Sequence, residues 1–159
     1  MDDENNTPKT WDEVIHGEGG HCPVCQRWGK VYGRTINQTM ARSLIWLCKS
    51  WLTNQPKEWV DVPNTAPRSV IRTNQLPTLA WWGLVERCPR NDNNKTKYSG
   101  LWRPTQKGWD FYNGNIRVPN KVFTYNNSVQ KYGGVDVLIH ECFENNFDYL
   151  EVMQSNFDD

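Results

Sequence analysis

Long apolar runs are missing from this chain of 159 residues, and no stretch approaches the roughly 20 apolar residues that cross a bilayer. The N-terminal residues 1–10 also lack the basic and apolar regions of a secretory signal. These absences predict a soluble, cytoplasmic protein with no membrane partner. Nine Trp, six Tyr and five Phe can still build a core, so we expect one folded domain, with disorder only near the ends.

Enzyme signatures are scarce as well. The chain has no Gly-Lys-Ser/Thr phosphate loop and no Gly-x-Ser-x-Gly nucleophile turn, and it has only three histidines to act as general bases. The sequence therefore predicts a protein that is not an enzyme.

The formal charge of zero hides a division into three parts. Residues 1–18 carry a net charge of −5, residues 19–134 carry +12, and residues 135–159 carry −7. A basic body can bind nucleic acid, because Lys and Arg that neutralise phosphates release condensed counterions. The same pattern also fits a solvated surface whose acidic ends fold over the basic body.

Local patterns predict an α+β protein. Apolar residues at steps of four and three, Met40, Leu44, Leu47 and Trp51, predict a helix over 37–53. The expected organisation is an acidic flexible tail (1–9), an N-terminal segment (10–36), a core (37–112) and a β-rich C-terminal segment (113–159). Within the core we expect helices at 65–73 and 74–83, strands at 59–62, 84–87 and 101–103, and a helix from Thr105 to about residue 114.

Two motifs carry a resemblance to a known family. One is Leu79-x-x-x-Gly83-Leu84-Val85-Glu86-Arg87, and the other is the run from Trp102 to Gly108. Together they resemble the end of the recognition helix and the wing exit of winged helix-turn-helix proteins of the MarR or PadR kind. The resemblance spans roughly residues 37–112 and implies a transcriptional regulator that binds double-stranded DNA.

In such a protein the 74–83 helix would enter the major groove and the wing, residues 88–101, would follow the adjacent backbone. Asn and Gln side chains could read adenine, and basic side chains could hold phosphates. The residues expected at this duplex interface are Arg68, Arg72, Asn74, Gln75, Thr78, Arg90, Lys95, Lys97 and Arg103.

Trp81 and Trp82 depart from the family pattern, which usually has charged residues at these positions. At least one indole should be buried, either under the chain's own C-terminal segment, against a second copy, or against a foreign protein. These two residues are therefore also candidates for a protein interface.

A metal site is the other candidate. Cys22 and Cys25 form a Cys-Pro-Val-Cys knuckle after a glycine-rich stretch, and His140 and Cys142, two apart on an expected strand, would project from one face. Four such ligands predict a structural zinc that joins both chain ends in one β-rich lobe. His21 is the substitute for His140.

Two other functions stay open. A winged helix could instead bind another protein, as a viral inhibitor of a host protein would. The acidic ends and the paired tryptophans favour this alternative. A zinc-stabilised RNA-binding module with surface aromatics for stacking is the third. The oligomeric state is also open, because the flanks that pair in MarR-like dimers are expected here to bind metal.

Overall fold

The computed structural model describes residues 10–53, 58–89 and 100–157, and it confirms the α+β class. The α-helices are α1 (Trp11–His16), α2 (Gln38–Thr53), α3 (Val62–Thr65), α4 (Arg68–Thr73), α5 (Gln106–Tyr112) and α6 (Asn146–Gln154). Two 3₁₀ helices span Leu76–Trp82 and Ile139–Cys142. The strands are β1 (Gly20–His21), β2 (Trp28–Gly29), β3 (Tyr32–Thr35), β4 (Val60–Asp61), β5 (Val85–Arg87), β6 (Leu101–Pro104), β7 (Val118–Tyr125) and β8 (Ser128–Val137).

Helix α2 lies at the centre of the core. The Asn37 side chain caps its start by accepting a 2.9 Å hydrogen bond from the backbone N–H of Met40. A helix that is apolar on most of its circumference must be covered on several sides. Its buried residues are Met40, Ala41, Ser43, Leu44, Ile45, Trp46, Leu47 and Cys48.

A small antiparallel sheet in the order β4–β6–β5 packs beside α2. Val60 pairs with Trp102 on one side of β6, and Val85 pairs with Pro104 on the other. Helices α3 and α4 and the 76–82 helix connect β4 to β5, and α5 follows β6. The 76–82 helix ends at Gly83, whose φ of 74° lies in the left-handed region that glycine adopts without strain.

A second antiparallel sheet, in the order β3–β7–β8, joins an early part of the chain to a late one. Tyr32 pairs with Thr124 and Thr35 pairs with Lys121, so the backbone ladder itself connects the two parts. Helix α1 contacts the same sheet, because the Trp11 indole donates a 3.1 Å hydrogen bond to the Tyr125 hydroxyl.

The two sheets meet through the 76–82 helix. The Trp82 side chain is fully buried, and its indole N–H donates a 2.7 Å hydrogen bond to the Pro119 carbonyl in β7. The Trp81 indole donates to the Asn127 carbonyl, in the turn between β7 and β8, at 3.2 Å. Both tryptophans therefore pack against the chain's own C-terminal sheet.

Among residues 10–53, 58–89 and 100–157, no helix combines the length and the apolar content that a membrane span needs.

Candidate nucleic-acid interface

Helix α4 presents two of the expected phosphate contacts. Arg68 and Arg72 lie one helical turn apart and are both exposed, so the two guanidinium groups share one side of the helix. The helix ends at Asn74, which adopts a left-handed φ of 52° and is exposed. Arg90, Lys95 and Lys97 of the expected wing lie outside the described residues.

The polar residues beside α4 already bind the chain's own backbone. The Gln75 side chain donates to the Thr73 carbonyl at 3.1 Å, and the Thr78 hydroxyl donates to the Gln75 carbonyl at 2.5 Å. Base reading by either side chain would require these local bonds to open.

The 76–82 helix has no charged residue. Leu76, Leu79 and Trp82 are buried beneath it, whereas Ala80 is exposed and Trp81 is partly exposed. Because Trp82 has no accessible surface, only Trp81 of the predicted tryptophan pair can touch a partner.

Arg103 in β6 is held by a cross-strand ion pair with Glu86 of β5. Its Nε lies 2.6 Å from Glu86 Oε1, and its guanidinium stacks 4.1 Å above the Trp59 ring. Much of its charge is therefore compensated locally, and it can support the β5–β6 ribbon as well as contact a ligand.

Two shallow cavities adjoin each other between the helices and this ribbon. One, of about 330 Å³, is lined by side chains of α3 and α4, and the other, of about 390 Å³, reaches Trp81 and Asn127. Pro77, Arg87 and Trp102 line both. The Arg87 guanidinium lies 4.3 Å from the Trp102 ring centroid, so a cation stacked on an indole separates the two cavities.

The zinc prediction is wrong. Among residues 10–53, 58–89 and 100–157, no group of three or more His, Cys, Asp or Glu side chains is placed to hold a metal ion. The expected strand at His140 and Cys142 is a 3₁₀ helix, where residues two apart point to different sides. His140 packs beside Tyr149, with 6.0 Å between ring centroids, and burial raises the pKa of the Cys142 thiol to about 12.

Cys22 and Cys25 lie in the turn between β1 and β2. The Val24 N–H donates to Cys22 Sγ at 3.4 Å, and hydrogen bonds from Cys25 and Val24 lower the pKa of the Cys22 thiol. His21, the expected substitute ligand, instead has Nδ1 3.0 Å from the Gln26 carbonyl and packs edge-on against Trp28. Backbone pairing in the hairpin and in the β3–β7–β8 sheet orders this part of the chain.

Sequence reasoning missed a set of exposed aromatic residues near the first hairpin. Trp28 and Tyr32 are about half exposed, and Tyr132 of β8 is similarly accessible. The signal was present in the alternation of Trp28, Lys30, Tyr32 and Arg34, which places aromatic and basic side chains at every second position.

Comparisons with models of protein families, with curated proteins and with solved structures found no match.

Proposed function

We propose that this protein binds double-stranded DNA as a winged helix-turn-helix transcriptional regulator, with α4, the 76–82 helix and the wing 88–101 as contact elements. The observation that carries the proposal is the strand order β4–β6–β5 with short helices between β4 and β5. This order places a helical pair beside the open end of a two-stranded ribbon. A duplex can accommodate one helix of such a pair in its major groove, with the other helix across its backbone and the ribbon along the adjacent backbone.

Charge supports the same surface. Arg68 and Arg72 are exposed on α4, and the wing sequence adds Arg90, Lys95 and Lys97 against the single acid Asp92. The uncharged 76–82 helix offers few groups for reading base edges. We therefore expect binding to be dominated by phosphate contacts and to depend strongly on salt.

The test is a titration of a labelled random duplex, followed by fluorescence anisotropy at several salt concentrations. Arg72→Ala combined with Lys95→Ala and Lys97→Ala should weaken binding. It should also reduce the slope of log K against log salt by up to about 2.7, near 0.9 for each lost phosphate contact.

The matched control is Lys121→Ala with Lys131→Ala. These lysines lie on the face of the β3–β7–β8 sheet that carries Phe123. They are distant from α4 in sequence and belong to a different sheet from the β5–β6 ribbon. The control variant should keep the wild-type salt slope. Unchanged binding by the triple variant, or an equal loss in the control, would remove the assignment.

A protein partner is the second candidate, and one observation favours it. The accessible surface of the cavity beside the β7–β8 turn is largely apolar, and its lining includes Pro77, Ala80, Trp81 and Trp102. Aromatic residues are enriched at the energetically important positions of protein interfaces. Absence of duplex binding even at low salt would favour this candidate over DNA.

A further inference from the structure

An aromatic and basic surface, which we call the stacking surface, extends from the first hairpin onto β3. It consists of Trp28, Lys30, Tyr32 and Arg34. The Trp28 indole donates a 3.3 Å hydrogen bond to the Tyr32 hydroxyl, and Lys30 Nζ lies 5.7 Å from the centroid of the Tyr32 ring. Tyr32 and Arg34 alternate along β3 and therefore project from the same face of the sheet.

The same face of the sheet continues across β7, where Val122 is fully buried. Arg34 pairs with Val122, which pairs with Tyr132, so Arg34 and Tyr132 flank the same position of β7. The Arg34 guanidinium lies 5.1 Å from the Trp81 ring centroid, and the Tyr132 hydroxyl donates to the Trp81 backbone carbonyl. These contacts fix Arg34 and Tyr132 at one end of the stacking surface.

The rings are accessible to a ligand. Trp28 is 51% exposed, Tyr32 is 48% exposed and Tyr132 is 45% exposed, although each already has a defined hydrogen bond or ring contact. A ring whose edge is fixed by a hydrogen bond or ring contact and whose face is exposed can stack with a planar group at little cost in conformational entropy.

The strands around the stacking surface carry mainly positive charge, although α1, which packs against the hairpin, and the residue before Gly19 contribute the acids Asp12, Glu13 and Glu18. No Asp or Glu occurs in residues 19–57 or in residues 111–135, which together contain β1, β2, β3, β7 and most of β8. Asp136, near the end of β8, is the first acid after this stretch, and it pairs with Pro119 rather than with the positions opposite Arg34. The stacking surface is therefore complementary to a polyanion.

We propose that the stacking surface binds single-stranded nucleic acid, with bases stacked on Trp28 and Tyr32 and phosphates held by Lys30 and Arg34. Duplex DNA hides its base faces inside the helix, whereas a single strand exposes them to aromatic side chains. Trp28, Lys30 and Tyr32 lie outside the proposed duplex contact elements, whereas Arg34 contacts Trp81 of the 76–82 helix, which is one of those elements. The single-strand proposal does not depend on duplex binding.

The test measures the anisotropy of labelled oligo(dT) and oligo(rU) of about 12 nucleotides, a length within the site size of small single-strand binding folds. Trp28→Ala with Tyr32→Ala should weaken binding at least tenfold, since stacking on each ring contributes substantially. Trp28→Phe with Tyr32→Phe keeps both rings but removes the hydrogen bond between them, and it should retain most of the affinity.

A charge variant supplies an independent readout that leaves every ring in place. Lys30→Ala with Arg34→Ala should lower the salt slope by about 1.4, near 0.7 for each phosphate contact to a single strand. If the variant with Trp28→Ala and Tyr32→Ala unfolds at a much lower temperature than the wild type, the charge variant alone tests single-strand binding. Lys121→Ala with Lys131→Ala, on the opposite face of the same sheet, is its control.

Phe147→Ala removes a ring that is 72% exposed on α6, outside the stacking surface, and should bind like the wild type. Binding of either oligomer with these variant effects supports the proposal and identifies which sugar is preferred. Binding of neither, or equal affinity of the wild type and the well-folded double alanine variant, overturns it. Arg68→Ala with Arg72→Ala should leave single-strand binding unchanged, so failure of the duplex proposal remains distinguishable.

Discussion

The Trp82 indole donates its hydrogen bond to the Pro119 carbonyl across 37 residues of sequence. This contact connects the last turn of the 76–82 helix to the start of β7, and hence the β4–β6–β5 sheet to the β3–β7–β8 sheet. One fully buried side chain therefore helps to set the orientation of the 76–82 helix relative to the C-terminal sheet, together with the more exposed contacts of Trp81.

Trp82→Phe should destabilise the protein by about 2–4 kcal/mol, because it leaves a cavity and removes the donor for the Pro119 carbonyl. Urea denaturation followed by circular dichroism measures the change. Trp81→Phe is the matched control. The Trp81 donor bonds the Asn127 carbonyl in an exposed setting, so its loss should cost less than about 1 kcal/mol. Equal losses from the two variants would contradict the assigned role of Trp82.

Local sequence patterns predicted much of the core. The expected helix over 37–53 matches α2 at Gln38–Thr53. The helix expected over 74–83 was predicted to end at Gly83, and the 76–82 helix does end there, with Gly83 in the left-handed conformation. These features depend on apolar periodicity and on the preference of glycine for the left-handed conformation at helix ends, and both can be recognised in short stretches of sequence.

Non-local features were not predictable in the same way. The pairing of β3 with β7 joins residues about 90 positions apart, and no short pattern specifies that register. The prediction of a strand at His140 and Cys142 was wrong because the Glu141 carboxylate accepts a bond from the Leu138 N–H, which favours a tight helical turn. The zinc prediction depended on that strand and was wrong with it.

Glu141 gives the fold a measurable dependence on pH. Its Oε1 accepts hydrogen bonds from the Leu138 N–H at 2.8 Å and from Arg117 Nη1 at 2.7 Å. The Leu138 N–H, with help from Arg117, holds the pKa of this carboxyl below its usual value. Since the folded pKa lies below the unfolded one, the contribution to stability is complete above the unfolded pKa and is lost as pH falls through the folded pKa.

Glu141→Gln should therefore lower the melting temperature at pH 7, and the difference from the wild type should shrink at pH values below the unfolded carboxyl pKa of about 4.3. Thermal unfolding at neutral and acidic pH measures both values. Glu144→Gln removes an exposed carboxylate from the same segment and serves as the control. A difference between Glu141→Gln and wild type that stays constant with pH would contradict the role of the ionised carboxylate.

Gly108 sits inside α5 where a side chain has no room. A Cβ built at this position would lie 2.0 Å from the Leu84 carbonyl oxygen, a backbone atom that also accepts a hydrogen bond from the Thr105 N–H. Because the obstacle is main chain, no side-chain rotation can relieve the overlap. The close approach of α5 to Leu84 fixes the helix against the start of β5.

Gly108→Ala should accordingly reverse the usual effect of alanine in a helix, which is a stabilisation of about 1 kcal/mol relative to glycine. We expect a loss of about 3 kcal/mol or more, or failure to fold, measured by thermal and urea unfolding. Gly114→Ala is the control, since its Cβ would meet open space and only the positive φ of 76° adds strain, at a cost of about 1–2 kcal/mol. A Gly108→Ala protein as stable as the wild type would mean that α5 does not pack this closely on Leu84.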